Sequence, residues 1–185
     1  MDPALHDLLL EMERYSREHE GVYAIPRDEA LFLNILVKLQ RPRRILELGT
    51  SSGYSTIWLA TAAASYGGCV ETVEYDPDKV ALASENFRRA GLVDVITIHR
   101  ADANEFLKSL RGPLDFVFMD TEKEEYLSQF KLFYPRLVRG SLVAADNAVD
   151  LADNMREYLE YVKQLPDAQS VTVPIGNGVE LTYKL

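Results

Sequence analysis

Apolar positions along this chain follow two alternating periods. Asp2-Pro3 opens a helix as cap and first turn, and Leu5, Leu8, Leu9, Met12 and Tyr15 then repeat at helical spacing until Gly21. A second helix begins near Asp28, with Leu31, Phe32, Ile35, Leu36 and Leu39 expected on one buried face. After Arg41-Pro42 the pattern changes. Short apolar runs at 44–48, 69–73, 95–98, 114–119 and 141–145 read as strands. Helical patterns at 54–65, 77–90, 104–110 and 124–134 lie between them. A last helix is expected over 151–165. Two strands follow, at 170–173 and 179–184, around Gly176-Asn177-Gly178.

Strands alternating with helices imply parallel pairing through right-handed crossovers. The connection around Gly176 is too short for a crossover, so its two strands must be antiparallel. The expectation is an α/β fold with seven strands, mostly parallel, the last antiparallel, and helices on both faces. No repeat or linker interrupts the alternation. Residues 1–185 therefore read as one domain, with N-terminal helices in 1–40 and the α/β core in 43–185.

Composition narrows the partners. The 185 residues are 47% hydrophobic and 26% charged, as in a globular domain. Lys and Arg number 20 against 29 Asp and Glu, a formal net charge of -9. That argues against phosphate-backbone binding and against anionic lipid, and leaves cationic ligands and metal ions open. The lone Cys69 excludes an internal disulfide and a Cys-rich zinc site, and within a buried strand it is expected to be inert. His6, His19 and His99 show no metal spacing. The start, Met1-Asp2-Pro3, is not a basic leader, and no apolar run reaches about 18 residues. A cytoplasmic address is expected.

The segment Glu47-Leu48-Gly49-Thr50-Ser51-Ser52-Gly53-Tyr54-Ser55 reads as strand, glycine turn and helix. Glycine lets the backbone approach a ligand and adopt positive φ. The spacing is Gly-x-x-x-Gly, not the Gly-x-Gly-x-x-Gly of dinucleotide sites. Glu47 just before the turn suits a cation better than a diphosphate. The next strand runs into Glu74-Tyr75-Asp76-Pro77, and Glu74 stands where an acid can take both hydroxyls of a ribose. Asp76 reads as a helix cap. After the third strand come Ala101 and Asp102, the latter able to accept from an adenine amino group or to cap the next helix. This ordered set fits an adenosine-bearing ligand without diphosphate, and S-adenosylmethionine has the required ribose, adenine and sulfonium.

The fourth and fifth strands deliver oxygen ligands at their carboxyl ends: Asp120, followed by Thr121-Glu122-Lys123, and Asp146-Asn147. Ligands bind at that edge of an open parallel sheet. If the two strands are neighbours, Asp120, Asp146 and Asn147 converge. An all-oxygen set favours a hard cation, Mg above Ca, with room left for a chelating substrate. Lys123, three residues past Asp120, is either a general base with a lowered pKa or an ordinary solvated lysine.

These residues resemble the metal-dependent, catechol O-methyltransferase-like and caffeoyl-CoA O-methyltransferase-like family of S-adenosylmethionine-dependent methyltransferases. The resemblance spans roughly residues 23–185. It rests on Leu46-Glu47-Leu48-Gly49-Thr50-x-x-Gly53-Tyr54-Ser55, Val73-Glu74, Asp120-x-x-Lys123-x-x-Tyr126, Ala145-Asp146-Asn147 and Pro174-Ile175-Gly176-x-Gly178. It implies a Rossmann-like class I methyltransferase fold with strand order 3-2-1-4-5-7-6. It implies a cofactor set of Ile25, Glu47, Gly49, Thr50, Gly53, Tyr54, Ser55, Glu74, Tyr75, Ala101, Asp102 and Asp120. Glu47, Gly49, Tyr54 and Ser55 would line its methionine end, Glu74 the ribose and Asp102 the adenine. Asp120, Asp146 and Asn147 would be metal ligands and Lys123 the catalytic base. The chain is shorter than most relatives, and Glu122 stands where the animal catechol enzyme carries an aromatic wall residue.

The expected function is metal-assisted methyl transfer from S-adenosylmethionine to a hydroxyl of a small catechol-like or vicinal-diol acceptor. Two rivals are carried. One is methylation of a hydroxylated tRNA base, for which Arg41, Arg43, Arg44, Arg88, Arg89 and Arg100 would form a local basic patch. The other is a non-catalytic S-adenosylmethionine-binding module. Trp58 is expected in the core. The first helix would pack on its own sheet or on a second subunit, and the expectation leans toward a homodimer.

Overall fold

A computed structural model describes residues 2–185. Helices α1 (Pro3–Glu18) and α2 (Arg27–Gln40) precede β1 (Arg44–Leu48), α3 (Tyr54–Ala64), β2 (Cys69–Glu74), α4 (Pro77–Arg89) and β3 (Ile96–Arg100). Then come α5 (Ala103–Ser109), β4 (Leu114–Met119), α6 (Tyr126–Phe133), β5 (Leu137–Ala145), α7 (Arg156–Val162), β6 (Ala168–Val173) and β7 (Val179–Lys184). The strands form one sheet in the order β3-β2-β1-β4-β5-β7-β6. Strands β1 to β5 pair in parallel, and β7 runs antiparallel to both β5 and β6.

Successive residues of the central strands bury on opposite faces. Ile45, Phe116 and Phe118 join a core with Leu33, Ile57 and Phe87 from α2, α3 and α4. Leu46, Val117 and Met119 join a second core with Leu107, Phe130 and Tyr158 from α5, α6 and α7. Strands covered on both sides are mostly apolar, and the polar residues of β1 and β4 are only Arg44, Glu47 and Asp115. Trp58 is buried, as expected.

Several boundaries and faces differ from expectation. On α2 the buried residues are Glu29, Ala30, Leu33, Asn34 and Val37, while Leu31, Ile35 and Leu39 are exposed. The helix is apolar around much of its girth. The smaller residues face α3, where Asn34 donates to the Trp58 carbonyl at 2.7 Å. β5 starts at Leu137 rather than at 141 because Gly140, at φ 89°, lets the strand shift register against β4 between Leu114 and Phe116. β3 extends through His99 and Arg100, polar residues that an edge strand tolerates. The helix expected over 151–165 is only α7, preceded by turns that begin at Asp146. Pro135 and the 3-10 turn Lys123–Glu125 shorten the helix expected over 124–134 to α6. Cys69 is exposed, not buried, since it opens β2 at the rim of the sheet. The first helix packs on its own domain through Leu8, Leu9 and Met12. No helix among the described residues is long and apolar enough to cross a membrane.

Candidate active site

The carboxyl ends of β1, β2, β3, β4 and β5 open onto a cavity of about 700 Å³. Its wall carries Tyr23, Ala24, Ile25, Gly49, Glu74, Tyr75, Ala101, Asp102, Asp120, Lys123, Asp146 and Asn147. Residues expected from five strand ends and from the segment before α2 thus meet in one place.

Gly49 sits at φ 92°, and a Cβ there would lie 2.1 Å from the Asp120 carbonyl oxygen. Only glycine allows β1 to turn this close to the end of β4. At Gly53, φ 84°, a Cβ would meet the Phe87 ring at 2.4 Å. Gly53 therefore serves the packing of α3 against α4. Four other expected cofactor residues also lie behind the wall rather than on it. Glu47 is fully buried and accepts hydrogen bonds from Ser55 Oγ at 2.6 Å and from Thr56 Oγ1. Burial pushes its carboxyl up to about 7, against the pull of the hydroxyl donors. Thr50 shares a hydrogen bond with Thr72. The Tyr54 hydroxyl donates to Glu13 at 2.6 Å. These side chains shape the turn from beneath.

Glu74 is pinned at the wall by backbone N–H groups. Its Oε2 accepts from Ser51 at 2.9 Å, and its Oε1 accepts from Tyr75 and Asp76 at 3.0 Å each. Asp76 caps α4, as expected. Asp102 caps α5 through Oδ1, accepting from Glu105 N–H at 3.0 Å, and also stands on the cavity wall. Of the two roles left open in the sequence, the cap is formed, and its place on the wall leaves the second available.

On the far side, Lys123 Nζ donates to Asp120 Oδ1 at 2.8 Å, to the Thr121 carbonyl at 2.9 Å and to the Tyr126 hydroxyl at 2.9 Å. The Tyr126 hydroxyl donates onward to the Met119 carbonyl at 2.8 Å. All three protons of the ammonium are engaged, and the Lys123 side chain is 10% exposed, so it is not a solvated surface lysine. Asp146 is buried and accepts the Asn147 backbone N–H. Asn147 holds the left-handed conformation at φ 66°, which Asn tolerates better than most residues. Among the described residues no three His, Cys, Asp or Glu side chains stand ready to hold a metal. The oxygen set here has an amide as third member, and its Asp120 is drawn to Lys123.

One residue of this cluster escaped the sequence reading. Glu29, in the first turn of α2, is fully buried beside Asp146. Burial and the neighbouring Asp146 and Asp120 charges raise its carboxyl, and burial and the Asp120 charge raise Asp146, against the pull of Glu29, Lys123 and the Asn147 N–H. Its only advance signal was an acid at the start of an otherwise apolar helix. Asn177 and Ser51 on the wall were also missed as site residues. At the outer rim, Glu124 accepts from Asn154 Nδ2 at 2.8 Å, beside exposed Glu122. The arginines considered as a nucleic-acid patch lie off the wall, and Arg44, Arg88 and Arg89 are paired with Glu71, Glu85 and Glu11.

Residues 2–185 match the protein family described as O-methyltransferase. The catechol O-methyltransferase of Niastella koreensis is 39% identical over 131 residues, covering 68% of this chain and 58% of the relative. That of Mycobacterium tuberculosis is 35% identical over 127 residues, covering 68% and 57%. The alignments to these two relatives therefore span under two thirds of their length. Among solved structures, an O-methyltransferase from Bacillus cereus in complex with SAH superposes with a TM-score of 0.85 at 26% identity, covering 100% of this chain and 92% of that one.

Proposed function

The chain belongs to the O-methyltransferase family, and on that footing we propose that it transfers a methyl group from S-adenosylmethionine to a hydroxyl of a small catechol-like or vicinal-diol acceptor, with a divalent cation, Mg by preference, bound at Asp120, Asp146 and Asn147. The observation that carries this reading is the shared wall. Glu74 and Asp102 stand on one side of a single cavity, and Asp120, Lys123, Asp146 and Asn147 on the other. The relatives named for catechol and the solved relative holding SAH support both halves of it.

S-adenosylmethionine supplies an electrophilic methyl on a positive sulfur, and a divalent cation supplies charge that acidifies and orients two adjacent acceptor hydroxyls. The rest falls to this chain. Glu74, already fixed by three backbone N–H groups, offers its remaining lone pairs to the ribose hydroxyls. Asp102 and Ala101 bracket the adenine position, and Tyr75 borders it. Gly49 clears the path between the cofactor side and the acceptor side. Asp120, Asp146 and Asn147 are hard oxygen donors, and a cluster of buried carboxylates calls for a cation. Lys123 Nζ, an ammonium with all three protons engaged, would hold the oxyanion by its charge, while the acceptor's proton, acidified by the cation, would pass to water in the open cavity. The acceptor oxygen then bonds to the methyl carbon as the C–S bond breaks, and sulfur leaves with the electron pair as a thioether. Catalysis is chiefly positioning and charge neutralisation.

The experiment is calorimetric titration of S-adenosylmethionine followed by methylation of a generic catechol. Binding together with methyl transfer that collapses in Asp146→Ala supports the reading. Binding without turnover on a broad phenol panel would favour a non-catalytic module, and turnover on hypomodified tRNA alone would favour the nucleic-acid rival.

A further inference from the structure

The motif Gly176-Asn177-Gly178 does more than turn the chain between β6 and β7. Its backbone is wedged between two elements. A Cβ on Gly176 would lie 2.4 Å from Glu29 Oε2 and 2.7 Å from Glu29 Cβ, and one on Gly178 would lie 2.5 Å from the Val149 backbone nitrogen. Glu29 Oε2 accepts the Asn177 N–H at 3.1 Å. In turn the Asn177 carbonyl accepts from Val149 at 3.2 Å and from Asp150 at 3.1 Å, and the Gly178 carbonyl accepts from Ala148 at 2.8 Å. Val149, Asp150 and Ala148 are the residues that follow Asp146-Asn147. The loop therefore fastens the metal-site turn to the start of α2.

Glu29 has a second end. Its Oε1 is buried and finds no hydrogen-bond donor among the described residues, while the Asp146 carboxylate lies within hydrogen-bonding reach of this side chain. A fully buried carboxylate with one oxygen spent on a backbone N–H and the other against an acid is costly unless it is shared with something. We infer that Glu29 is a positioning residue of the oxygen cluster: a two-ended clamp that fixes Asp146 from one side and, through Asn177, the Asn147 turn from the other. This rests on the metal-dependent reading above. Ligand orientation by such an outer contact commonly sets metal affinity by about 10–100-fold.

The test measures Mn²⁺ affinity by electron paramagnetic resonance for the wild-type chain and for Glu29→Gln, Glu29→Asp and Glu29→Leu. S-adenosylmethionine affinity and unfolding temperature are measured alongside. Gln can donate to Asp146 and still accept from Asn177, so Glu29→Gln is expected to bind Mn²⁺ within about threefold of wild type. Asp is one methylene too short to span both partners, and Leu has no polar ends. Both are expected to lose about tenfold or more with S-adenosylmethionine affinity unchanged. If Glu29→Leu does not fold, the Asp variant carries the comparison. Wild-type affinity in the Asp variant overturns the inference alone, and so does a loss in Glu29→Gln as large as in Glu29→Asp. Failure of the wild-type chain to bind Mn²⁺ overturns the metal reading and the clamp with it.

Discussion

Lys123 Nζ lies 2.8 Å from Asp120 Oδ1, joining the one lysine on the acceptor side of the cavity to a carboxylate at the end of β4. The pair is largely shielded on the lysine side, so its charge acts at higher strength than in water. In the proposed reaction Lys123 would be a fixed positive charge beside the place where negative charge develops on an acceptor oxygen.

Replacing Lys123 with Met should lower kcat by about 10²–10³, while S-adenosylmethionine affinity stays within about threefold, because Lys123 follows β4 and Glu74 ends β2, on either side of β1. Steady-state kinetics with calorimetric binding separates the two. A kcat near wild type would remove Lys123 from the chemistry.

Glu74 should carry cofactor affinity rather than turnover. A hydrogen bond to a charged group contributes about 1.5–3 kcal/mol, so Glu74→Gln should weaken S-adenosylmethionine binding by about tenfold or more and leave kcat at saturation nearly intact. Glu74→Ala should also lower the unfolding temperature, since it frees the Ser51, Tyr75 and Asp76 N–H groups. Calorimetry and thermal unfolding read both effects.

Glu47 gives the fold a pH signature. Its folded carboxyl titrates at about 7 against an ordinary 4.5, because burial disfavours the charged form. The native state thus holds a proton that the unfolded state has released between those values. Stability present below pH 4.5 is lost as pH rises toward 7, by roughly 3 kcal/mol for a shift of this size. Glu47→Gln lacks the titration. Relative to wild type it should gain stability between pH 5 and pH 8 in urea unfolding. Parallel pH profiles for the two proteins would show that Glu47 is not the source.

The wall around Lys123 is acidic, with Glu122, Glu124 and Glu125 on it and Glu124 beside Asn154. A phosphate-bearing thioester should be repelled, and a neutral or amine-bearing catechol accepted. The expected kcat/KM is about tenfold or more lower for a catechol coenzyme A thioester than for a simple catechol at low salt, narrowing in Glu122→Gln/Glu124→Gln and with added salt. Equal values across the series would contradict it.

Much of this was visible in the linear sequence, for physical reasons. β4 and the carboxyl half of β5 are largely apolar because both faces are covered, and Asp120 and Asp146, which directly follow them, mark the edge where ligands bind. The Gly49 turn, Glu74, Asp102, Asp120, Lys123, Asp146 and Asn147 were readable because each sits at a strand end and so inherits its place from the sheet. Glu29 was not readable. Its role depends on contact with Asn177, 148 residues away, and no local pattern encodes that meeting. The buried face of α2 was misread because an apolar helix with small residues on one side packs by fit rather than by hydrophobicity. Glu47, Thr50, Tyr54 and Ser55 fall within the right motif, but their side chains turn into the protein, where Glu47 is held by Ser55 and Thr56, Thr50 by Thr72 and Tyr54 by Glu13.

The most direct test of the account is transfer of labelled methyl from S-adenosylmethionine to catechol, measured with Mg²⁺, after EDTA, and after Mg²⁺ is restored. The account predicts a single O-methylated product, loss of activity in EDTA and recovery on adding Mg²⁺. Full activity in EDTA would contradict the role assigned to Asp120, Asp146 and Asn147.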